Sequence, residues 1–446
     1  MASKKDLIEA QSYSRNRLLS AFTGGAPGGK ELEPAKPMRA VFGGIALTAM
    51  VILAGVFVGL LKPGLPGGWE NNRLIVARDT GARHLSGNGE LHPAINTVSA
   101  RMLVPAGEFK VVSVDQSALS GIPIGGPIGI LGGPDTLPKA ADLDGTHWQA
   151  CAAPETTEFW IGDQRRTAAP AGAGTVVVRD GETFVISDGT SFAVPAGSET
   201  AVLRAVGLDT VQPHEVRGDW LALFTTGTDL APLTVTGGTS EVAGVDLPAG
   251  TVIHPTGSPE LERYLLTASG ELAPLDPLAH RLSMLGDGAD GLGVPVELTP
   301  SEIADLPTTE PAGGTDWPSD TLTPLAGAGS PCATLAGGKK DQRTVLAAQT
   351  FTGQASVDPA AAETGVNVHL PDNVGALVRG GTKGTLTLID STGTSYAIPG
   401  AVGTGVKRLG YTGGDVAVVP ARWLHLLPAG PELTPEAAGT SPTAAK

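Results

Sequence analysis

The chain has 446 residues, a formal net charge of −15 and two cysteines. An acidic balance excludes nucleic-acid binding as its main task, because phosphate neutralisation needs clustered Lys and Arg. With 62 Gly, 36 Pro and 4% aromatic residues, the expected cores are small, built of Val, Leu and Ala between many turns.

The first 39 residues run against the general charge, with seven basic and four acidic groups. SKKDLIEAQSYSRNRLLSAF (3–22) places Leu7, Leu18 and Phe22 at near-helical spacing. With Lys4, Lys5, Arg15 and Arg17, such an arm either lies on an anionic leaflet or docks against partner subunits.

Residues 40–61, AVFGGIALTAMVILAGVFVGLL, hold no charge and no Pro over 22 positions. As a helix this run is about 33 Å long, enough for a bilayer core. It begins too late and runs too long for a cleaved signal peptide, so it reads as a retained signal anchor. Seven Lys and Arg precede it and three follow within 20 residues, which favours a cytoplasmic N-terminus and an external body. Within 20 residues on each side the count ties at three, so charge alone sets this orientation weakly.

After a linker at 62–72, the chain repeats itself. GELHP (89–93) returns as GELAP (270–274), and Cys151 and Cys332 share that offset of 181. GTSFAVP (189–195) returns as GTSYAIP (393–399), and Trp220 and Gly227 find counterparts in Trp423 and Gly430, at offsets of 203 to 204. The body therefore reads as two A-B halves: A units at 73–150 and 255–332, B units at 174–232 and 383–432. The lengthened offset places about 22 extra residues within 300–380. TVVVRDGETFVISDGTSFAVP alternates apolar and polar residues around Asp-Gly turns, a strand pattern. Residues 433–446 are expected to be a disordered tail.

Cys151 and Cys332 belong to no CxxC or Cys/His cluster, which disfavours zinc. In an external body they are expected to pair as a disulfide; two buried thiols are the alternative. No catalytic, cofactor or metal residue is apparent. A phosphate-binding loop needs GxxxxGK[ST], whereas AGGKKD (336–341) has Lys340 at the hydroxyl position and Ala333 at the first Gly position. GIPIGGPIGILGGP (121–134) contains no GxGxxG and reads as a rigid loop, or as an apolar partner-binding one. The eight His show no metal spacing, Asp142 and Asp144 read as a solvated loop, and no GxSxG elbow occurs.

GELHPAINTVSARML (89–103), GGPIGILGGPDTLP (125–138), HWQAC (147–151) and GPELTP (430–435) resemble the EccB family, a core component of actinobacterial type VII (ESX) secretion systems. The most specific part is Pro93, Asn96, Ser99, Ala100 and Arg101. The Arg17–Leu18–Leu19 segment and the KPMR stretch (36–39) fit the same order. The resemblance implies a cytosolic arm at 1–39 and a single transmembrane helix at 40–61. It also implies a mixed, β-rich extracytoplasmic domain at 73–432, of duplicated modules in quasi-twofold arrangement around a central core and held by one disulfide. It implies a structural subunit of the inner membrane, with no cofactor. The partners it implies are an FtsK-like motor ATPase, a multi-span channel subunit, a further membrane component and further copies of itself. Some family members carry the name ATPase, so an extracytoplasmic ATPase or wall hydrolase is the rival reading.

Overall fold

A computed structural model of the chain describes residues 4–24, 38–60, 64–153, 155–162, 167–286, 294–326, 329–348, 365–400 and 402–441; the side chains at 39 and 57–60 are not described. The chain forms two compact units, Met1–Leu65 and Pro66–Lys446.

The first unit consists of helices α1 (Lys4–Gly24) and α2 (Met38–Leu60). The Gly/Pro-rich stretch between them lies outside the described residues. Within the described residues no helix is long and apolar enough to cross a membrane. The 23-residue backbone of α2 nevertheless covers the apolar run nearly end to end. Its side chains Val41, Phe42, Ile45, Leu47, Met50, Ile52 and Leu53 are all exposed, on every face of the helix.

The second unit is built from four copies of one small motif. Each has three antiparallel strands, a helix, and a fourth strand returning parallel to the first, in the sheet order third-second-first-fourth. The first copy comprises Arg73–Ala77, Arg83–Gly87, Glu90–Pro93, helix Thr97–Leu103 and Lys110–Val114. The second comprises Ala173–Arg179, Glu182–Ser187, Thr190–Val194, helix Glu199–Val206 and His214–Glu215. The third comprises Val252–Pro255, Tyr264–Leu266, Leu272–Pro274, helix Pro277–Ser283 and Val296–Leu298. The fourth comprises Ala376–Gly380, Leu386–Ile389, Ser395–Ile398, helix Val402–Leu409 and Ala417–Val419.

The A and B units are thus the same motif, and two of their starts move by three residues or more. The second A unit begins at Val252 rather than 255, and the second B unit at Ala376 rather than 383. Both early strands lie outside the matched phrases, so sequence identity undercounts them. The extra length falls mainly between Ala348 and Val366, whose intervening segment 349–364 lies outside the described residues. Residues 433–441 are not a disordered tail. Leu433 is fully buried, and Thr434 caps a short helix, Pro435–Gly439, that packs on Thr97–Leu103. Residues 442–446 lie outside the described set.

Every copy also draws a downstream segment alongside its third strand. Leu91 pairs with Ile124, Thr190 with Thr225, Leu272 with Thr308 and Ser395 with Ala429, all in parallel. The recurrent heptapeptide is this third strand in copies two and four. Its glycine recurs because there is no room for a side chain. A Cβ on Gly189 would lie 2.5 Å from the Thr344 carbonyl, and one on Gly393 would lie 2.9 Å from Val368. Gly227 and Gly430 make room in the same way for Phe192 and Tyr396. Asp180 and Gly181, both with positive φ, turn the hairpin of the second copy, as a two-residue loop requires.

A six-stranded sheet joins the copies. Its order is Val366–His369, Thr156–Ile161, Trp148–Ala153, Pro331–Ala336, Arg343–Ala348, Thr167–Ala168. Trp148, Phe159 and Trp423 cluster on one face, with centroids 5.5 to 6.3 Å apart. Trp220 and Trp423 are fully buried, and their indoles donate to the Ala150 carbonyl and the Thr344 hydroxyl, each at 2.9 Å. Cys151 and Cys332 face each other across the two middle strands and are joined as a disulfide, S–S 1.97 Å.

Replacing both cysteines with Ala should lower stability by roughly 2–5 kcal/mol, by releasing a closed loop in the unfolded chain. Urea unfolding of the full chain in detergent measures this. An unchanged midpoint would contradict it.

Candidate functional site

The most specific residues of the family resemblance, from Pro93 to Arg101, converge where the first and fourth copies meet. Asn96 caps the helix Thr97–Leu103, its carbonyl oxygen accepting from the Ser99 amide at 3.0 Å. Its amide nitrogen donates to the carbonyls of Ile130 (2.7 Å) and Gly133 (3.3 Å). Ser99 accepts from the Ile130 amide at 2.8 Å. Two buried polar side chains therefore hold the Gly/Pro-rich loop 121–134 against the first copy. Gly129 and Gly133 permit this approach: a Cβ on Gly129 would lie 2.3 Å from Ile95, and one on Gly133 3.1 Å from Asn96. The loop is thus pinned, with Ile130 buried and Ile124 and Leu131 exposed.

Arg101 reaches across to the fourth copy and donates to the Leu409 carbonyl at 3.0 Å, its guanidinium lying over the Phe109 ring. Arg408 returns the contact by donating to the Met102 carbonyl. Around this exchange Val98 and Met102 pack against Leu409, Tyr411, Leu433 and Ala438. Burial pushes Tyr411 up to about 12, although Arg101 beside it pulls the other way. Copies two and three meet likewise: Val202, Val206 and Leu208 pack against Leu278 and Leu282.

The other candidate residues are spent on structure. Lys339 and Lys340, of AGGKKD, donate to the carbonyls of Gly414 (2.7 Å) and Gly413 (3.3 Å) in the fourth copy. Asp144 accepts from the amides of Thr146 and His147 and from the His147 ring. Burial raises its pKa, but these bonds outweigh it and the net shift is downward. It is a turn acceptor and does not form a pair with Asp142. Among the described residues no group of three or more His, Cys, Asp or Glu could hold a metal ion.

A further polar cluster has no counterpart among the sequence motifs. Glu158 lies directly opposite Cys151 and accepts from Asn367 at 2.5 Å and from His369 at 2.8 Å. Trp160 stacks on His369, centroids 5.0 Å apart. More than two hundred residues separate the partners, so no spacing signals the cluster.

Fold and site together define a repeat-built scaffold whose motif residues dock one copy on another. The family profile described as "Type VII secretion system ESX-1, transport TM domain B" matches residues 1–444, and the chain belongs to that family, EccB. It is 25% identical over 382 residues to "ESX-3 secretion system ATPase EccB3" of Mycolicibacterium smegmatis, covering 81% of this chain and 71% of that one. It is 25% identical over 314 residues to "ESX-5 secretion system ATPase EccB5" of Mycobacterium tuberculosis, covering 66% and 61%. The fold is similar to a chain of "Structure of an intact ESX-5 inner membrane complex, Composite C3 model", TM-score 0.64 at 20% identity, covering 100% of this chain and 96% of that one. It is also similar to "Structure of EccB3 dimer from the ESX-3 core complex", TM-score 0.66 at 21% identity, covering 82% and 99%.

Asn96→Ala removes the cap and both donors that tie the loop to the helix, leaving the part-buried Gly133 carbonyl without Asn96 while the Ile130 carbonyl keeps the Gly133 amide, so it should cost roughly 2 kcal/mol. Asn96→Asp keeps the cap acceptor but sets a carboxylate oxygen against the Ile130 and Gly133 carbonyls in a buried site. Its thermal midpoint should therefore also lie below that of the parent. Equal midpoints for all three would show that the loop is held by other contacts.

Proposed function

We propose that this chain is a structural core subunit of a type VII secretion machine. α2 spans the inner membrane, α1 lies in the cytosol, and the repeat body lies outside, shaping the exit of the export channel. The observation that carries this reading is the pairing of an all-round apolar helix with a body whose family motif residues are spent on internal docking. The described side chains of α2 are apolar all round and need an apolar surrounding; counted with residues 57–60, whose side chains lie outside the described set and which the sequence gives as Phe, Val, Gly and Leu, its 23 residues amount to about 34 Å of helix, the scale of a bilayer core. The partners are an FtsK-like motor ATPase, a multi-span channel subunit, a further membrane component and a second copy of this chain. The two halves of the body are related by a quasi-twofold axis between Trp148–Ala153 and Pro331–Ala336. The register of Cys151 against Cys332 and the matched helix contacts of copies one with four and two with three support this.

The name ATPase carried by the relatives motivates a second reading. Against it stands the use of Lys339 and Lys340 on backbone carbonyls. Two assays separate the readings. The purified full chain should show no ATP turnover above buffer. In a strain lacking it, export should be restored by the parent chain and lost with the charged double variant Ala49→Arg/Leu53→Arg, which cannot enter a bilayer cheaply. Turnover that survives stringent purification, or export that survives the α2 variant, would overturn the proposal.

A further inference from the structure

We propose that the apolar segment Ile122–Pro123–Ile124, beside the point where the chain arrives from α2, docks copy one on the lipid surface that α2 enters. The inference rests on the reading above that α2 spans the membrane, and it assigns the face of the body that meets lipid.

The segment belongs to a run, 116–134, with no charged side chain and no His over nineteen positions. Ile124 is 60% exposed, Pro123 is exposed and Ile122 is half-buried. The backbone holds them out. The Leu91 amide donates to the Pro123 carbonyl at 2.9 Å, and the Gly125 amide donates to the Leu91 carbonyl at 3.0 Å. A Cβ on Gly125 would lie 2.5 Å from the His92 ring, so the segment is pressed against the strand Glu90–Pro93. Docking would therefore order nothing new, which removes one cost of binding.

Covalent reach keeps this end of copy one near lipid. Leu60 ends α2 and Glu70 follows ten residues later, so the two are at most about 36 Å apart. Glu70 already belongs to copy one. Its carbonyl accepts from the Gly89 amide at 3.0 Å, and the Asn71 side chain accepts from the Asn88 amide at 2.7 Å. Gly89 lies two residues before Leu91, about 7 Å along the strand. Leu91 in turn holds the apolar segment. Trp69, half-buried, adjoins the same anchor, and Trp rings gather at membrane–water interfaces.

Charge singles out the same face. Residues 62–139, which include copy one and its loop, hold 6 acidic and 7 basic groups. Residues 376–432, copy four, hold 3 and 5, whereas residues 173–326, spanning copies two and three, hold 22 and 5. Charges brought against lipid lose their water, so the acidic end is the one kept away. A few apolar side chains hold a free protein on lipid only weakly. Here α2 keeps them at the surface, so the contact is intramolecular and a weak preference suffices.

The test uses the full chain in vesicles of phosphatidylcholine and phosphatidylglycerol. Ile124→Cys gives one reactive thiol, because Cys151 and Cys332 are joined and buried. The thiol carries an environment-sensitive dye, which lipids spin-labelled at shallow or deep acyl positions quench according to its depth. Leu261→Cys in copy three, 61% exposed, is the matched control, and Met50→Cys reports α2. The shallow label should quench the dye at 124 at least about twofold more than the dye at 261. Adding Pro123→Asp should abolish that difference, since a carboxylate resists leaving water. If Met50→Cys is quenched by the deep label but 124 and 261 respond alike, or Pro123→Asp changes nothing, the docking surface is wrong and the membrane anchor stands. If Met50→Cys is not quenched, α2 does not span and the reading beneath the inference fails with it.

Discussion

Two strands that begin 183 residues apart, Trp148–Ala153 and Pro331–Ala336, pair antiparallel at the centre of the body, with Cys151 opposite Cys332. The places of the four copies follow from that pair. Each strand lies between an A copy and a B copy, so pairing the strands brings both halves together. Copy one then meets copy four and copy two meets copy three, through helices whose apolar faces need cover. Each motif is small, spanning 42 to 47 residues from first strand to fourth with one short helix, and buries too little surface to be secure alone. The central sheet supplies the missing burial with Trp148, Trp220, Trp423 and Phe159, the large aromatic side chains of a chain poor in them.

This arrangement explains why polar residues are used so sparingly and so specifically. A buried amide or guanidinium is costly unless its hydrogen bonds are made. Asn96 meets that condition by capping its own helix and pinning the loop 121–134. Arg101 meets part of it by gripping the last carbonyl of the fourth-copy helix, while its Nε finds no partner. These side chains fix relative placement, the property that a scaffold within a multi-subunit channel requires. The same side chains are then not free for catalysis.

The duplication was legible because backbone crowding demands glycine. Gly189 and Gly393 abut the central sheet, and Gly227 and Gly430 abut aromatic rings, so the phrases around them stay recognisable across two hundred residues. The identity of the A and B motifs was not legible. Their shared constraint is topology, which apolar residues of many kinds satisfy. The short fourth strands left no alternation long enough to read, and the first strands Val252–Pro255 and Ala376–Gly380 fell outside the matched phrases, which lie further along each copy. The ordered segment after 432 was missed because Pro, Gly and Ala suggest a tail, while its order comes from Leu433 and Ala438 filling a distant core. The Glu158–His369 pair was equally hidden, since only the parallel pairing of Val366–His369 with Thr156–Ile161 brings the two together. Of the candidate site, the motif residues themselves were found in the sequence, but their work as clamps between copies needed the fold.

The central claim is that this chain works as part of a larger assembly rather than as an enzyme on its own. Gentle solubilisation of native membranes carrying the tagged full chain, followed by native electrophoresis and identification of the co-migrating proteins, tests it most directly. The account predicts a very large complex containing an FtsK-like ATPase and a multi-span membrane protein. A species no larger than a dimer of this chain, free of other components, would contradict it.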